Sequence, residues 1–179
     1  MLRTIKGRLT ASVTVIVVAG ILLTTAGITA IAGKRMIHDQ TQALQLNADK
    51  YAAEIDTWIA TEKMIADGAA DSIAAGKKTD TELIQSVVNA HAEGRSEILN
   101  LYFGTNDSRF IQSNTSAEIP AGYDPVQRGW YQQAAQQKTV VVTDPYWDVL
   151  TNQMCATIAA PSYINGELAG VIGLDVTLG

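Results

Sequence analysis

Between Arg8 and Lys34 the chain runs for 25 residues without a charge: LTASVTVIVVAGILLTTAGITAIAG. At 1.5 Å per residue, about 20 residues of helix cross a hydrocarbon core of about 30 Å. A helix also satisfies its own backbone polar groups there. The stretch therefore predicts a transmembrane helix over 9–33. Its Thr and Ser hydroxyls can back-bond to the preceding turn and cost little in lipid. The competing reading is a cleaved signal peptide ending at Ala30-Ile31-Ala32, but the apolar run exceeds the ~7–15 residues usual for one. Five basic residues (Arg3, Lys6, Arg8, Lys34, Arg35) and no acidic ones lie in 1–35, while the other 8 basic and all 18 acidic residues lie in 36–179. Three of the basic residues precede the span and two follow it. The positive-inside bias thus places 1–8 in the cytoplasm and 34–179 on the periplasmic or extracellular side of a cell inner membrane.

Beyond the span the composition bounds the chemistry. A length of 179 residues allows one domain with a helical appendage. The lone Cys155 excludes an internal disulfide framework or a multi-Cys zinc site, and two histidines leave no His-rich metal set. No cofactor is expected. From Met36 to about Ala75, Ile37, Leu44, Ala48, Tyr51, Ile55, Trp58, Ile65, Ala69 and Ile73 recur at spacings of 3, 4 and 7 without a proline. This predicts a stalk helix over about 36–75, long enough for a second copy of the chain to pack on it as a homodimer. Gly76-Lys77-Lys78 breaks the pattern. Thr79-Asp80-Thr81-Glu82 reads as a capping box opening a short helix that ends near His91.

After Gly94 the period changes. Glu97–Phe103 and Arg109–Gln112 read as strands around an Asn106-Asp107 turn. Asp124-Pro125 predicts the start of a helix running to about Gln137. Three strands follow: Val140 to Asp148, Met154 to Pro161, and Leu168 to Leu178 after the Asn165-Gly166 hairpin signal. The fold class is α+β: a transmembrane helix continuing into a stalk helix, then an antiparallel sheet of about five strands with helices packed to one side.

The chemistry concentrates between Tyr123 and Asp175. Arg128 offers a fork for a carboxylate, with the Trp130 indole and a tyrosine hydroxyl as further donors. Asp148 and Asp175 suit an ammonium group, and tyrosine rings favour a cation over their faces. Tyr146 and Asp148 share a strand face, and Asp175 shares one with Gly173, whose missing side chain leaves room for an approach. A zwitterionic α-amino acid matches both poles. The residues alone equally allow Arg128 to pair internally with Asp148 or Asp175 and the aromatics to be core. Paired aspartates also serve glycosidases, but no activated nucleophile, metal set or phosphate loop accompanies them, so an enzyme is not expected.

Three runs carry a family resemblance: Tyr123-Asp-Pro-Val-Gln-Arg128-Gly-Trp130-Tyr131-Gln-Gln-Ala, Thr143-Asp-Pro-Tyr146-Trp-Asp148 and Gly170-Val-Ile-Gly173-Leu-Asp175-Val. Together they resemble the double Cache sensor domains of bacterial methyl-accepting chemotaxis receptors, in their amino-acid-binding subgroup. The resemblance implies a PAS-like, membrane-distal ligand-binding lobe over about 79–179. It implies carboxylate contacts from Tyr123, Arg128 and Trp130, and ammonium contacts from Tyr131, Tyr146, Asp148 and Asp175. Such receptors continue into a proximal lobe, a second span and an output module, so the 179 residues are expected to be a fragment or a receptor cut to its sensing half. The alternatives are the same fold sensing amines or small carboxylates, coupled to a kinase or cyclic-nucleotide output, and a membrane-anchored domain that binds nothing. No nucleic-acid partner is expected.

Overall fold

The computed structural model describes residues 5–177; residues 1–4 of the expected cytoplasmic segment, and Leu178 of the last strand, lie outside them. The chain divides into two compact units between Ile55 and Asp56.

The described residues of the first unit, 5–55, are helical throughout. They belong to α1 (Ile5–Ala75), which holds the one stretch among the described residues apolar and long enough to cross a membrane. Thr14, Thr25 and Thr29 each donate to the carbonyl four residues back at 2.8–2.9 Å. These bonds hide the hydroxyls within the helix's own surface.

The second unit opens with the end of α1. Gly76 stops it: a Cβ there would collide with Leu83 Cδ2 of the next helix, and Lys77 turns to φ 57°. Helix α2 (Thr81–Ala92) is capped by Asp80, whose Oδ1 accepts from the backbone N–H of Glu82 and Leu83 at 3.0 and 3.2 Å. The expected Thr79 cap does not form. Arg109 holds Thr79 instead, donating to its carbonyl at 3.0 Å and its hydroxyl at 3.2 Å. The Asp80 carboxylate is also the stronger acceptor at a helix N-terminus.

Six antiparallel strands follow: β1 (Ile98–Thr105), β2 (Phe110–Gln112), β3 (Val141–Val142), β4 (Tyr146–Trp147), β5 (Met154–Ile164) and β6 (Glu167–Thr177). Their order is β2-β1-β6-β5-β3, with β4 also paired to β5. The expected single strand over 140–148 is two, because Pro145 brings no N–H to a ladder. Asn165 and Gly166, both at positive φ (53° and 86°), make the tight β5–β6 turn. The helix expected from Asp124 to Gln137 is also two pieces. A 3-10 turn (Pro125–Gln127) ends at Arg128, which is extended (φ −83°, ψ 144°), and α3 (Gly129–Gln137) begins after it.

Helices cover both faces of the sheet, not one. Ile65, Ala66, Ala69, Ala70 and Ile73 of α1 and Ile84, Val87 and Val88 of α2 pack with Leu101, Phe103, Ala156, Ile158, Ile172 and Leu174. On the other face Trp130, Tyr131 and Ala134 of α3 pack with Tyr102, Ala159 and Val171. Strand alternation requires this division, since neighbours in sequence point to opposite faces.

Candidate ligand-binding site

The α3 face of the sheet is where the predicted residues gather. Register sets its floor: Tyr102 of β1 and Ala159 of β5 lie opposite Gly173, and Thr157 lies opposite Asp175. The Tyr102 ring leans across Gly173, and its hydroxyl donates to Asp175 Oδ1 at 2.8 Å. The opening expected at Gly173 is therefore filled from within. Thr157 donates to the same oxygen at 2.6 Å, and the Tyr146 hydroxyl lies 2.7 Å from Thr157 Oγ1. Asp175 is 1 % exposed, and its Oδ2 is buried with no hydrogen-bond partner among the described residues. Burial, opposed by the two hydroxyl donors, raises the Asp175 carboxyl to about 7, and the Asp148 charge adds to the rise. Asp148 follows β4 and is buried. Its Oδ2 accepts from the Thr151 N–H at 2.8 Å and hydroxyl at 2.7 Å, which fixes the turn.

The other pole is cationic. Because Arg128 stands between the 3-10 turn and α3 in an extended conformation, its side chain leaves the helix path. Its guanidinium carbon sits 5.4 Å from the centre of the Tyr123 ring, within cation–π range. The ion pairs among the described residues are Lys50–Glu54 and Arg109–Asp107, so the internal pairing of Arg128 with Asp148 or Asp175 is not made. Burial pushes the Tyr123 phenol up to about 12, against the pull of Arg128 and a hydrogen bond with Trp130. Tyr102, Phe110, Tyr123 and Trp130 form a chain of ring contacts at 4.9–5.0 Å. A cleft of about 250 Å³ opens beside them, lined by Arg128, Trp130, Gln133, Thr143, Asp144 and Tyr146 among others. That volume suits a small molecule and not a peptide.

Of the seven predicted residues, Tyr123 and Trp130 belong to this aromatic cluster, Arg128 and Tyr146 line the cleft beside it, and Asp175, with Asp148 acting on it, joins it through Tyr102. Tyr131 is set apart from the aspartates it was expected to join. Its ring packs edge-on to Trp130 at 5.6 Å, and the carboxylates that act on its hydroxyl are Asp124 and Asp107. Successive residues of a helix point about 100° apart, so Trp130 and Tyr131 leave α3 in different directions. Tyr102, Thr157 and Phe110 escaped the sequence reading. The one available signal was Gly173, a glycine in an apolar strand that admits a neighbouring ring.

Residues 77–179 match the family described as "Methyl-accepting chemotaxis protein-like, first PDC sensor domain". The methyl-accepting chemotaxis protein McpA of Pseudomonas putida is 35% identical over 129 residues, 71% of this chain and 19% of that protein. PctB of Pseudomonas aeruginosa is 28% identical over 127 residues, 71% of this chain and 20% of that protein. The chain spans about a fifth of the length of these curated relatives. Among solved structures, the ligand-binding domain of Pseudomonas fluorescens chemoreceptor CtaA with L-valine superposes with TM-score 0.62 at 30% identity, covering 69% of this chain and 55% of that one. The ligand-binding domain of PctB with L-Arg gives TM-score 0.62 at 28% identity, covering 68% and 50%.

Proposed function

The chain belongs to the methyl-accepting chemotaxis protein-like family of first PDC sensor domains, and from that membership we propose that it is the extracytoplasmic ligand-sensing part of a transmembrane chemoreceptor for free L-amino acids. The observation that carries the reading is a pair of opposite, uncompensated charges beside one aromatic cluster. Asp175 Oδ2 has no donor, and Arg128 has no ion pair among the described residues. An α-amino acid supplies both missing partners. Arg128, Trp130 and Tyr123 take its carboxylate; Asp175, Asp148 and Tyr146 take its ammonium. Tyr131 packs edge-on against Trp130. The solved relatives with L-valine and L-Arg support the ligand class. A small ligand gains at most ~1.5 kcal/mol per heavy atom, so an alanine-sized one is capped near ~9 kcal/mol, and micromolar binding is within reach.

In this reading residues 9–33 span the inner membrane, and the stretch from 34 onward lies on its outer side. Leu44, Tyr51 and Ile55, spaced seven and four on α1 and 71%, 62% and 56% exposed, form a seam for a second copy of the chain. Ligand binding biases two packings of that seam through its differential affinity for them. Thermal-shift measurements on the full chain in detergent micelles test the ligand class. Stabilisation by L-amino acids is expected, with none from amines or carboxylates that lack the other pole. Stabilisation by a plain amine or a plain carboxylate, with no response to any amino acid, would sink the zwitterion reading.

A further inference from the structure

The two oxygens of Asp175 keep unequal company. Oδ1 accepts from Tyr102 at 2.8 Å and Thr157 at 2.6 Å, while Oδ2, equally buried, accepts from nothing among the described residues. Thr157 has a single hydroxyl hydrogen. Since it goes to Asp175, Tyr146 donates to Thr157 across their 2.7 Å contact. The result is a directed chain, Tyr146 to Thr157 to Asp175, with Tyr102 entering from the other side. Its geometry is fixed by packing. Tyr102 is 1% exposed, rests on Gly173 where no side chain intervenes, and meets Trp130 edge-on at 5.0 Å. Tyr102 therefore touches the acidic pole through its hydroxyl and the carboxylate pole through its ring.

We infer that Tyr102 and Thr157 are positioning residues for ligand recognition: they commit one oxygen of Asp175 and present the other, unpartnered, to a primary ammonium group. This rests on the amino-acid reading above and adds to it the residues that aim the acidic pole. The ionisable groups facing Asp175 are Tyr102 from β1, Tyr146 from β4, Asp148 from the turn after it, Cys155 from β5 and Tyr123 from the loop before the 3-10 turn. None of them carries a positive charge, so the hydroxyl donors are what stabilise the ionised carboxylate. A neutral acyl-amide nitrogen brings no charge to that oxygen, so N-acetylated amino acids are excluded along with 2-oxo acids.

The test uses the full chain in detergent micelles with ¹³Cγ-labelled aspartate. The Asp175 carboxyl resonance is followed against pH in the wild type, Tyr102→Phe and Thr157→Val. Loss of either donor is expected to raise its midpoint by about one pH unit, a tenfold change in ionisation constant. Calorimetry with L-alanine, L-valine, L-arginine and L-asparagine is expected to show the pH of half-maximal affinity moving up by the same amount. Lost packing alone lowers the melting temperature and leaves both midpoints where they were. Wild-type binding with unchanged midpoints in both variants overturns the positioning role. Shifted midpoints with no wild-type binding of these four, or of any other L-amino acid, overturn the amino-acid reading instead, and with it the recognition role. Should Tyr102→Phe fail to fold, Thr157→Val decides alone.

Discussion

Tyr102 occupies the space that a side chain at Gly173 would need: a Cβ built there would collide with Cε2 and Cζ of the ring. The two residues face each other across the β1–β6 pairing, and the ring is buried, so it has no exposed direction in which to swing. Gly173→Ala is expected to cost about 1–3 kcal/mol by overpacking. It also pulls the Tyr102 hydroxyl from Asp175, so amino-acid affinity falls with stability. Chemical denaturation and calorimetry on the same sample check both. An alanine variant of undiminished stability and affinity would contradict the close approach.

Two arginines should separate cleanly. Arg128 makes no ion pair among the described residues, so Arg128→Ala is expected to leave the melting temperature nearly unchanged while amino-acid binding drops below detection. Arg109 donates to both oxygens of Asp107, to the Thr81 hydroxyl and to Thr79, clasping the β1–β2 turn to the start of α2. Arg109→Ala should lower stability by about 1–2 kcal/mol, the partial exposure of its pair with Asp107 limiting the loss. Its amino-acid affinity should hold. Reversed results, with binding lost at Arg109 and stability lost at Arg128, would exchange their roles.

Acidity should act on binding and on folding with opposite signs. The Asp175 carboxyl lies near 7 in the folded protein against an ordinary 3.8. Between those values the folded state keeps a proton that the unfolded chain has released, so unliganded stability falls as pH rises from about 4 to 7. An ammonium ligand needs the ionised carboxylate, so affinity rises over the same window, approaching tenfold per pH unit below the midpoint. Melting curves and calorimetry at several pH values from 4.5 to 8 read both slopes. Asp175→Asn should flatten the affinity slope that this group contributes.

Glu62 supplies a further buried carboxyl. It is 2% exposed, its Oε2 has no hydrogen-bond partner among the described residues, and burial and the charge of Glu97 raise its affinity for a proton, with Arg95 opposing. Glu62→Gln removes a charge from a poorly solvated place and keeps the shape. The variant is expected to melt higher at pH 8 and to lose that advantage as the wild-type carboxyl protonates in acid. A variant that melts lower at pH 8 would mean that the charge stabilises the fold.

Arg128, Trp130, Tyr146, Asp148 and Asp175 drew attention in the sequence because they are residue types that a small lobe has little reason to crowd into one stretch, although the residues alone left an internal pairing of Arg128 open. The stalk ending at Gly76 and the Asn165-Gly166 turn were equally plain, since each rests on local backbone preference. Tyr102 was hidden because it stands in an apolar run, Leu101-Tyr102-Phe103, where a tyrosine reads as core. Its role depends on which residue of a distant strand lies opposite, and sequence does not carry that register. Pro145 was passed over because Val140–Val142 and Tyr146–Trp147 both look like strand, and the break is only three residues long. The packing of Tyr131 was hidden too: its edge-on contact with Trp130 depends on the rotation of α3, which begins only after the extended Arg128.

β5 serves two masters along one stretch of backbone. Thr157 and Ala159 look toward the aromatic cluster, while Ala156, Ile158 and Ala160 form part of the seat of α1, where Ser162 donates to the Ala70 carbonyl at 2.8 Å. Nothing but the thickness of a single peptide ribbon separates them. On β5, therefore, no intermediary element stands between the Thr157 side and the seat of the helix.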